Sequence, residues 1–174
     1  SRHAQMATLS GKRIVDMVWD DLCIRDIVDA RAIDNAVTTV LALGGSTNAV
    51  VHLIAVARRA GVALDLQRFD ALARRTPVLA NIRPAGQFLM EDFFYAGGLR
   101  GLLARLPDLI DPSARTVNGR ALGENLGHDG GDPGPSDERG EAAVRRPRRG
   151  CARVPRGSRP ARPRRAAQRR HHSR

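Results

Sequence analysis

The most prominent pattern in the chain is an almost uninterrupted apolar run, Ala49–Ala57, inside the stretch Leu43–Gly61. Two glycines precede the run, and Ser46–Asn48 supplies side chains that commonly start a helix. His52 is the only polar side chain inside the run, and Gly61 follows where a glycine commonly closes a helix. Because a helix that is apolar on all sides is normally buried on all sides, we predict a fully buried central helix.

Amphipathic periodicity predicts three further helices, each beginning after a polar residue that can cap it. They begin after Ser10, Asp29 and Asp65 and end near Leu22, Leu43 and Pro77. In the first of them Ile14, Val15, Val18 and Leu22 share one face. Residues 1–9 show no clear element.

Strand signals are few. The apolar run Val78–Ile82 follows a proline and predicts a buried strand. Pro84–Gly86 predicts a turn, and Thr116–Gly119 predicts a short strand that enters a tight turn. Leu99–Leu106 predicts one more helix. The pattern therefore indicates a helix-rich α/β fold with few strands.

The start of the central helix is also the candidate binding site. Free backbone N–H groups and the helix dipole favour a negative group there, and glycines let a ligand approach the backbone closely. The candidate substrate-binding residues are Gly44, Gly45, Ser46, Thr47, Asn48 and His52. In the alternative interpretation, which the spacing by itself favours, Ser46 or Thr47 caps the helix and the other polar side chains bond neighbouring backbone. No catalytic residue is assigned, because the adjacent carboxylates of Glu91 and Asp92 point in different directions on a helix.

The positive charge is concentrated at the end of the chain. The net charge of the 174 residues is +11, and residues 127–174 contain 14 arginines and five acidic residues. This segment has no aromatic residue and is dominated by arginine, proline, glycine and alanine, so it cannot bury enough apolar area to fold. We therefore predict a folded part, 1–126, and a disordered basic tail, 127–174. The tail resembles out-of-frame translation of GC-rich DNA; the alternative is an arginine-rich arm that binds nucleic acid.

The two cysteines and the hydropathy pattern set the expected environment. Cys23 and Cys151 have neither metal-ligand nor redox spacing, so a reducing cytoplasm is expected. No stretch is typical of a signal peptide or a membrane span, because the central apolar run is shorter than the roughly 20 residues that a bilayer requires.

Six stretches occur in the order found in the dihydroxy-acid and sugar-acid dehydratases. They are Gly11–Val15 (GKRIV), Leu43–His52 (LGGSTNAVVH), Pro77–Leu79 (PVL), Asn81–Gly86 (NIRPAG), Leu89–Gly98 (LMEDFFYAGG) and Thr116–Asn125 (TVNGRALGEN). The chain resembles this family over about 125 of its 174 residues. The stretch Leu89–Leu99 is more similar to the sugar-acid, arabinonate-type members than to the branched-chain biosynthetic enzyme.

The resemblance implies a fragment of the N-terminal, three-layer α/β/α domain of a hydro-lyase. Such an enzyme removes water from a 2,3-dihydroxy acid or sugar acid and gives a 2-keto acid. Intact members use an iron–sulfur cluster and a magnesium ion, and a cytoplasmic homo-oligomer (dimer or tetramer) acting on a small-molecule acid is implied, with no membrane or nucleic-acid partner. Cys23 and Cys151 do not match the family's cluster cysteines, and the serine thought to act as base has no counterpart in this chain. The fragment is therefore expected to hold neither cofactor and to be inactive by itself.

Overall fold

Helices dominate the part of the chain that the structure, a computed structural model, describes: residues 2–127 and 142–144. The helices of this part are α1 (Arg2–Trp19), α2 (Ala30–Leu43), α3 (Asn48–Arg59), α4 (Leu66–Ala73), α5 (Met90–Tyr95), α6 (Gly98–Leu103) and α7 (Leu122–Gly127), with a 3-10 turn at Ile24–Asp26. Strand pairing within the described residues is limited to isolated bridges between Ala80 and Val144, Ile82 and Phe88, and Arg115 and Ala121. The prediction of a helix-rich fold with few strands is confirmed at this level.

One hydrophobic core lies between α2, α3 and α4. Asp29 begins α2 as predicted, because its carboxylate accepts a hydrogen bond from the Ala32 N–H at 2.9 Å. Asp65 begins α4 in the same way, through the Arg68 N–H at 2.7 Å. The three helices bury Ile33, Val37, Ala57, Leu64, Phe69 and Leu72 in a single cluster. The predicted bounds of α2 are therefore confirmed, and Ile33 and Val37 are buried on its inward side.

A second core forms around α5 and α6. It includes the segment 79–82, the end of α2 at Ala42 and the residues Leu102, Leu106 and Ile110. Leu79, Ala80 and Ile82 are buried as the sequence predicts, whereas Val78 is 60% exposed. The predicted strand over 78–82 is wrong as a continuous element, because Ala80 and Ile82 each make only one isolated bridge.

Two residues of the predicted basic tail lie in this second core. Ala143 and Val144 are fully buried, and the Asn81 N–H donates to the Ala143 carbonyl at 2.9 Å. Residues 142–144 read Ala-Ala-Val, a short apolar run in a charged segment, and burying it removes apolar surface from water. The prediction of a tail without packed structure does not hold for Ala143 and Val144. Apart from residues 142–144, the segment 128–174, including the arginine-rich arm and Cys151, lies outside the described residues.

Helix α1 differs from its prediction in extent. It begins at Arg2, so the predicted start after Ser10 and the absence of an element over residues 1–9 are wrong. The first turns contain alanine, glutamine and methionine, which favour helix, and the Thr8 hydroxyl bonds back to the Ala4 carbonyl at 3.0 Å. Met17 is buried with Leu22 and Ile27 in a small third cluster. The remaining apolar side chains of its C-terminal half, Ile14, Val15, Val18 and Trp19, are each more than half exposed.

The central helix, α3, forms where predicted but is not buried on all sides. Ala57 is its one fully buried residue, while Val50, Leu53 and Ile54 pack half-buried against the first core. Val51 is 68% exposed and Val56 49% exposed on the opposite side. The apolar pattern predicted burial on all sides, and this prediction is correct only for the side that α2 and α4 cover. No helix within the described residues combines the length and apolar content that crossing a bilayer would require.

Candidate functional site

The candidate site is the tight connection between α2 and α3. The Gly44 N–H donates to the Leu41 carbonyl and the Gly45 N–H to the Val40 carbonyl, at 3.0 and 2.9 Å, which ends α2. Gly44 has a left-handed backbone with φ of 66°, which a residue with a side chain rarely adopts. A Cβ on Gly45 would lie 2.8 Å from the Val40 side chain. Both glycines therefore have structural reasons that need no ligand.

Only some of the backbone N–H groups at the start of α3 donate hydrogen bonds to neighbouring groups. Thr47 is the N-cap residue and makes no side-chain cap hydrogen bond, whereas the Ser46 hydroxyl accepts from the Asn48 N–H at 3.2 Å. The Ala49 and Val50 N–H groups donate to the carbonyls of Ser46 and Thr47. Within the described residues, the N–H groups of Ser46 and Thr47 themselves donate no hydrogen bond. Two main-chain donors at a helix start are therefore available to an anion.

The structure places all six predicted site residues on one exposed surface. Gly44, Gly45, Ser46, Thr47, Asn48 and His52 are exposed. Asn48 and His52 are one helical turn apart on the side of α3 that faces away from the first core. The predicted residues are thus brought together, although nothing within the described residues encloses them.

A second polar cluster lies on the other side of α2 and was missed in the sequence. Asn35 is buried, and its side-chain amide donates to the Asp111 carbonyl and accepts from the Asp111 N–H, at 2.8 and 2.7 Å. Beside it, the Arg68 guanidinium forms two bonds to the Asp34 carboxylate at 2.8 and 2.6 Å. These residues line a groove of about 510 Å³ that Arg31 and Arg75 also border. Asn35 lies on the side of α2 opposite Ile33 and Val37, so the apolar periodicity of the helix gave no signal for it.

Contacts at and beside this groove shift the pKa of three charged groups, Arg68, Asp111 and Asp29, toward the ionised form. The Asp34 carboxylate, by hydrogen bonding and by its charge, raises the pKa of Arg68. The Ser113 hydroxyl and N–H donate to the Asp111 carboxylate and lower its pKa. Burial acts to raise the pKa of Asp29, but hydrogen bonds from the Ala32 N–H and the Arg31 guanidinium outweigh it and lower that pKa. The groups serve as caps and ion pairs between elements.

The carboxylate pair Glu91 and Asp92 does not form a catalytic dyad. The Asp92 carboxylate accepts from the Leu89 N–H at 2.8 Å and so caps the start of α5. Glu91 is exposed.

The described residues do not by themselves fit the cofactors that the resemblance implies. Within 2–127 and 142–144, no three or more histidine, cysteine, aspartate or glutamate side chains come close enough to hold a metal ion. Cys23, half-buried, is the one cysteine in that part. A thiolate-bound cluster needs several cysteines, so these residues could not hold one without ligands from elsewhere.

Comparison with known proteins identifies the family. Residues 1–125 match the family model described as dihydroxy-acid/6-phosphogluconate dehydratase N-terminal. The chain belongs to this family. All six stretches that carry the resemblance lie within the matched residues, and so does the candidate site.

Individual relatives support the same assignment. The chain is 46% identical over 128 residues to an L-arabinonate dehydratase of Rhizobium leguminosarum bv. trifolii, covering 72% of this chain and 22% of the relative. It is 44% identical over 129 residues to an L-arabonate dehydratase of Azospirillum brasilense, with the same coverage. It is 50% identical over 106 residues to a dihydroxy-acid dehydratase of Trichlorobacter lovleyi, covering 61% of this chain and 19% of the relative. The chain thus spans about a fifth of the length of the curated relatives it matches.

Proposed function

We propose that this chain is the N-terminal part of a hydro-lyase that dehydrates a 2,3-dihydroxy acid or sugar acid to a 2-keto acid. The observation that carries the proposal is the match of residues 1–125 to the dehydratase family, at 46% identity to an L-arabinonate dehydratase. In the whole enzyme this helix-rich part belongs to a three-layer α/β/α domain. The chain alone is inactive.

We assign the substrate's negative group to the start of α3. The N–H groups of Ser46 and Thr47, which have no acceptor within the described residues, attract a carboxylate together with the helix dipole, as helix starts do generally. Asn48 and His52 lie on the same exposed side and can bond the hydroxyl groups of a sugar acid. Gly44 and Gly45 keep the approach to the backbone open.

The remaining features of the whole enzyme follow from the family. We assign its iron–sulfur cluster and magnesium ion to chain outside the described residues, because the described residues contain no convergent ligands. A cytoplasmic homo-oligomer, a dimer or tetramer, is the proposed working form.

The test is a grafted enzyme: the Rhizobium leguminosarum relative in which the matched segment is replaced by residues 1–125 of this chain. We expect the grafted enzyme to dehydrate L-arabinonate, and both the 174-residue chain and the relative without the segment to show no turnover. The deletion controls for activity that does not need the segment. A grafted enzyme that folds but does not turn over substrate contradicts the proposal.

The site assignment is tested in the same enzyme. Asn48→Ala and His52→Ala should each raise KM about tenfold, because each removes a hydrogen bond to a charged or strongly polar ligand. Gln67→Ala, at an exposed position of α4, is the matched control and should leave KM unchanged. If both site variants also leave KM unchanged, Asn48 and His52 do not bind the substrate. The alternative interpretation, in which the polar residues cap the helix and bond neighbouring backbone, is then correct.

A further inference from the structure

The outward side of α3 carries apolar side chains that the described residues leave uncovered. Val51 is 68% exposed and Val56 49% exposed, and Ala55 lies between them on the same side. The opposite side, through Ala57, packs in the first core. A helix that buries one apolar side and exposes another commonly marks an interaction surface.

Two shallow grooves lie along this outward side, and a third adjoins them beyond the end of α3. A groove of about 680 Å³ is lined by Val51, Ile54, Ala55, Arg58 and Arg59. It shares Ala55 and Arg59 with a groove of about 500 Å³ that reaches Ile24 and Val56. It shares Ile54 and Arg58 with one of about 670 Å³ toward Leu64. We call the whole, defined by Ile24, Val51, Ala55, Val56, Arg58 and Arg59, the α3 surface.

The C-terminal end of the α3 surface is positively charged. Arg58 and Arg59 occupy the last turn of the helix, and Arg25 borders the groove from the turn before α2. None of the three forms an ion pair within the described residues. An apolar floor with a cationic rim is complementary to an apolar segment that carries carboxylates.

We propose that the α3 surface docks an apolar, carboxylate-bearing segment of the dehydratase chain beyond the matched fifth. This inference rests on the proposed function. The matched relatives are about five times as long as the segment they share with this chain, so a large part of the enzyme is available to cover this face. The carboxylates of the segment meet Arg25, Arg58 and Arg59, and its apolar side chains cover Val51, Ala55 and Val56. The docked segment therefore also borders the start of α3, where Asn48 and His52 lie on the same side.

The test compares thiol labelling in the free 174-residue chain and in the grafted enzyme. Ala55→Cys is introduced after Cys23→Ser and, in the full chain, Cys151→Ser. Its reaction with a maleimide should be about tenfold slower in the grafted enzyme than in the free chain, because a covered thiol reacts slowly. Ala71→Cys, at an exposed alanine of α4, is the matched control and should react at similar rates in both. Equal rates for Ala55→Cys in the two proteins would overturn the proposal.

A charge variant tests the chemistry of the segment. Ala55→Glu should lower the unfolding temperature of the grafted enzyme, since it places a carboxylate against apolar groups and other carboxylates. Ala71→Glu should leave that temperature unchanged. If instead the free chain forms a dimer in which Ala55→Cys is already protected, the occupant is a second copy and the proposal is wrong.

The outcomes separate this inference from the proposed function. A folded, active graft with an unprotected Ala55→Cys overturns this inference alone. A folded graft with a protected Ala55→Cys and no turnover supports this inference and contradicts the proposed activity. A graft that cannot fold counts against both.

Discussion

Helices α1 and α2 have similar amphipathic patterns and very different surroundings. In α2, Ile33 and Val37 are buried against α3 and α4. In α1, Val18 is 75% exposed and Trp19 83% exposed, and Met17 is buried in a cluster of three residues. The sequence pattern of a helix therefore predicts that it has a face to bury, and the neighbouring elements decide whether that face is covered.

Helix α3 is intermediate, because one of its sides is covered, as in α2, and the other is exposed, as in α1. Its inner side is covered by the elements that follow and precede it closely in the chain. Its outer side would need a partner that the described residues do not contain. Within the described residues, α2 and α4 cover the inner side of α3, and no element covers Val51 and Val56 on its outer side. The covered region should therefore carry the stability, and the open region should contribute little.

The largest expected difference is between two leucines of α4. Leu72 is 5% exposed in the first core, and Leu66 is 68% exposed on the same helix. Leu72→Ala should lower the free energy of unfolding by about 2–5 kcal/mol, because it leaves a cavity in the core. Leu66→Ala should change it by less than about 0.5 kcal/mol. Urea unfolding followed by circular dichroism measures both, and equal effects would show that the first core does not carry the stability.

The next prediction concerns the link between α2 and the segment after α6. Asn35→Ala should lower the free energy of unfolding by about 2 kcal/mol, because it leaves the N–H and carbonyl of Asp111 without their partner. Asn48→Ala, at an exposed asparagine of α3, is the matched control and should have almost no effect. Hydrogen exchange at the Asp111 amide gives a local readout. Unchanged protection there in Asn35→Ala would contradict the prediction.

The fold was predictable from the sequence wherever the signal was local. Asp29 and Asp65 were identified as caps because the bond from a carboxylate to the N–H three residues later is set by neighbouring residues. The tight turn at Thr116–Gly119 was identified for the same reason, and Gly119 has the expected left-handed backbone with φ of 83°. The short strand predicted before this turn is wrong, because the structure has only an isolated bridge between Arg115 and Ala121 there. The strand predicted over Val78–Ile82 did not form as a continuous element. A strand needs a partner strand, and an apolar run does not indicate whether one is present.

The candidate site was only partly predictable. The sequence identified the residues that come together at the α3 start, since they are contiguous or one helical turn apart. It did not reveal the pair of Asn35 and Asp111, which are 76 residues apart. It also gave no sign that Ala143 and Val144 pack beside Ala80, because that contact joins distant parts of the chain. Long-range partners are the component that periodicity and capping rules cannot supply.

A smaller effect is expected at the start of α2. Asp29→Ala should lower the free energy of unfolding by about 1 kcal/mol at neutral pH, since it removes the cap. Because the folded pKa of Asp29 lies below its ordinary value of 3.8, its contribution is present above that value and is lost as the pH falls through the lowered folded pKa. Stability measured from about pH 7 to about pH 2 should therefore fall less steeply in Asp29→Ala than in the unmodified chain. A stability curve of unchanged shape in Asp29→Ala would show that these contacts do not lower the pKa of the Asp29 carboxyl group.

The smallest effect is expected on the open side of α1. Val18 is 75% exposed, so Val18→Ala removes little buried area, and alanine favours helix more than valine does. The free energy of unfolding of the 174-residue chain should change by less than about 0.5 kcal/mol. The adjacent Met17, 8% exposed, is the matched comparison, and Met17→Ala should lower it by about 2–5 kcal/mol. If Val18→Ala is as destabilising as Met17→Ala, the outer face of α1 is covered in solution, and the contrast between the covered and open regions no longer holds. A small effect of Val18→Ala would instead mean that the same apolar stripe contributes to stability only where a neighbouring element covers it.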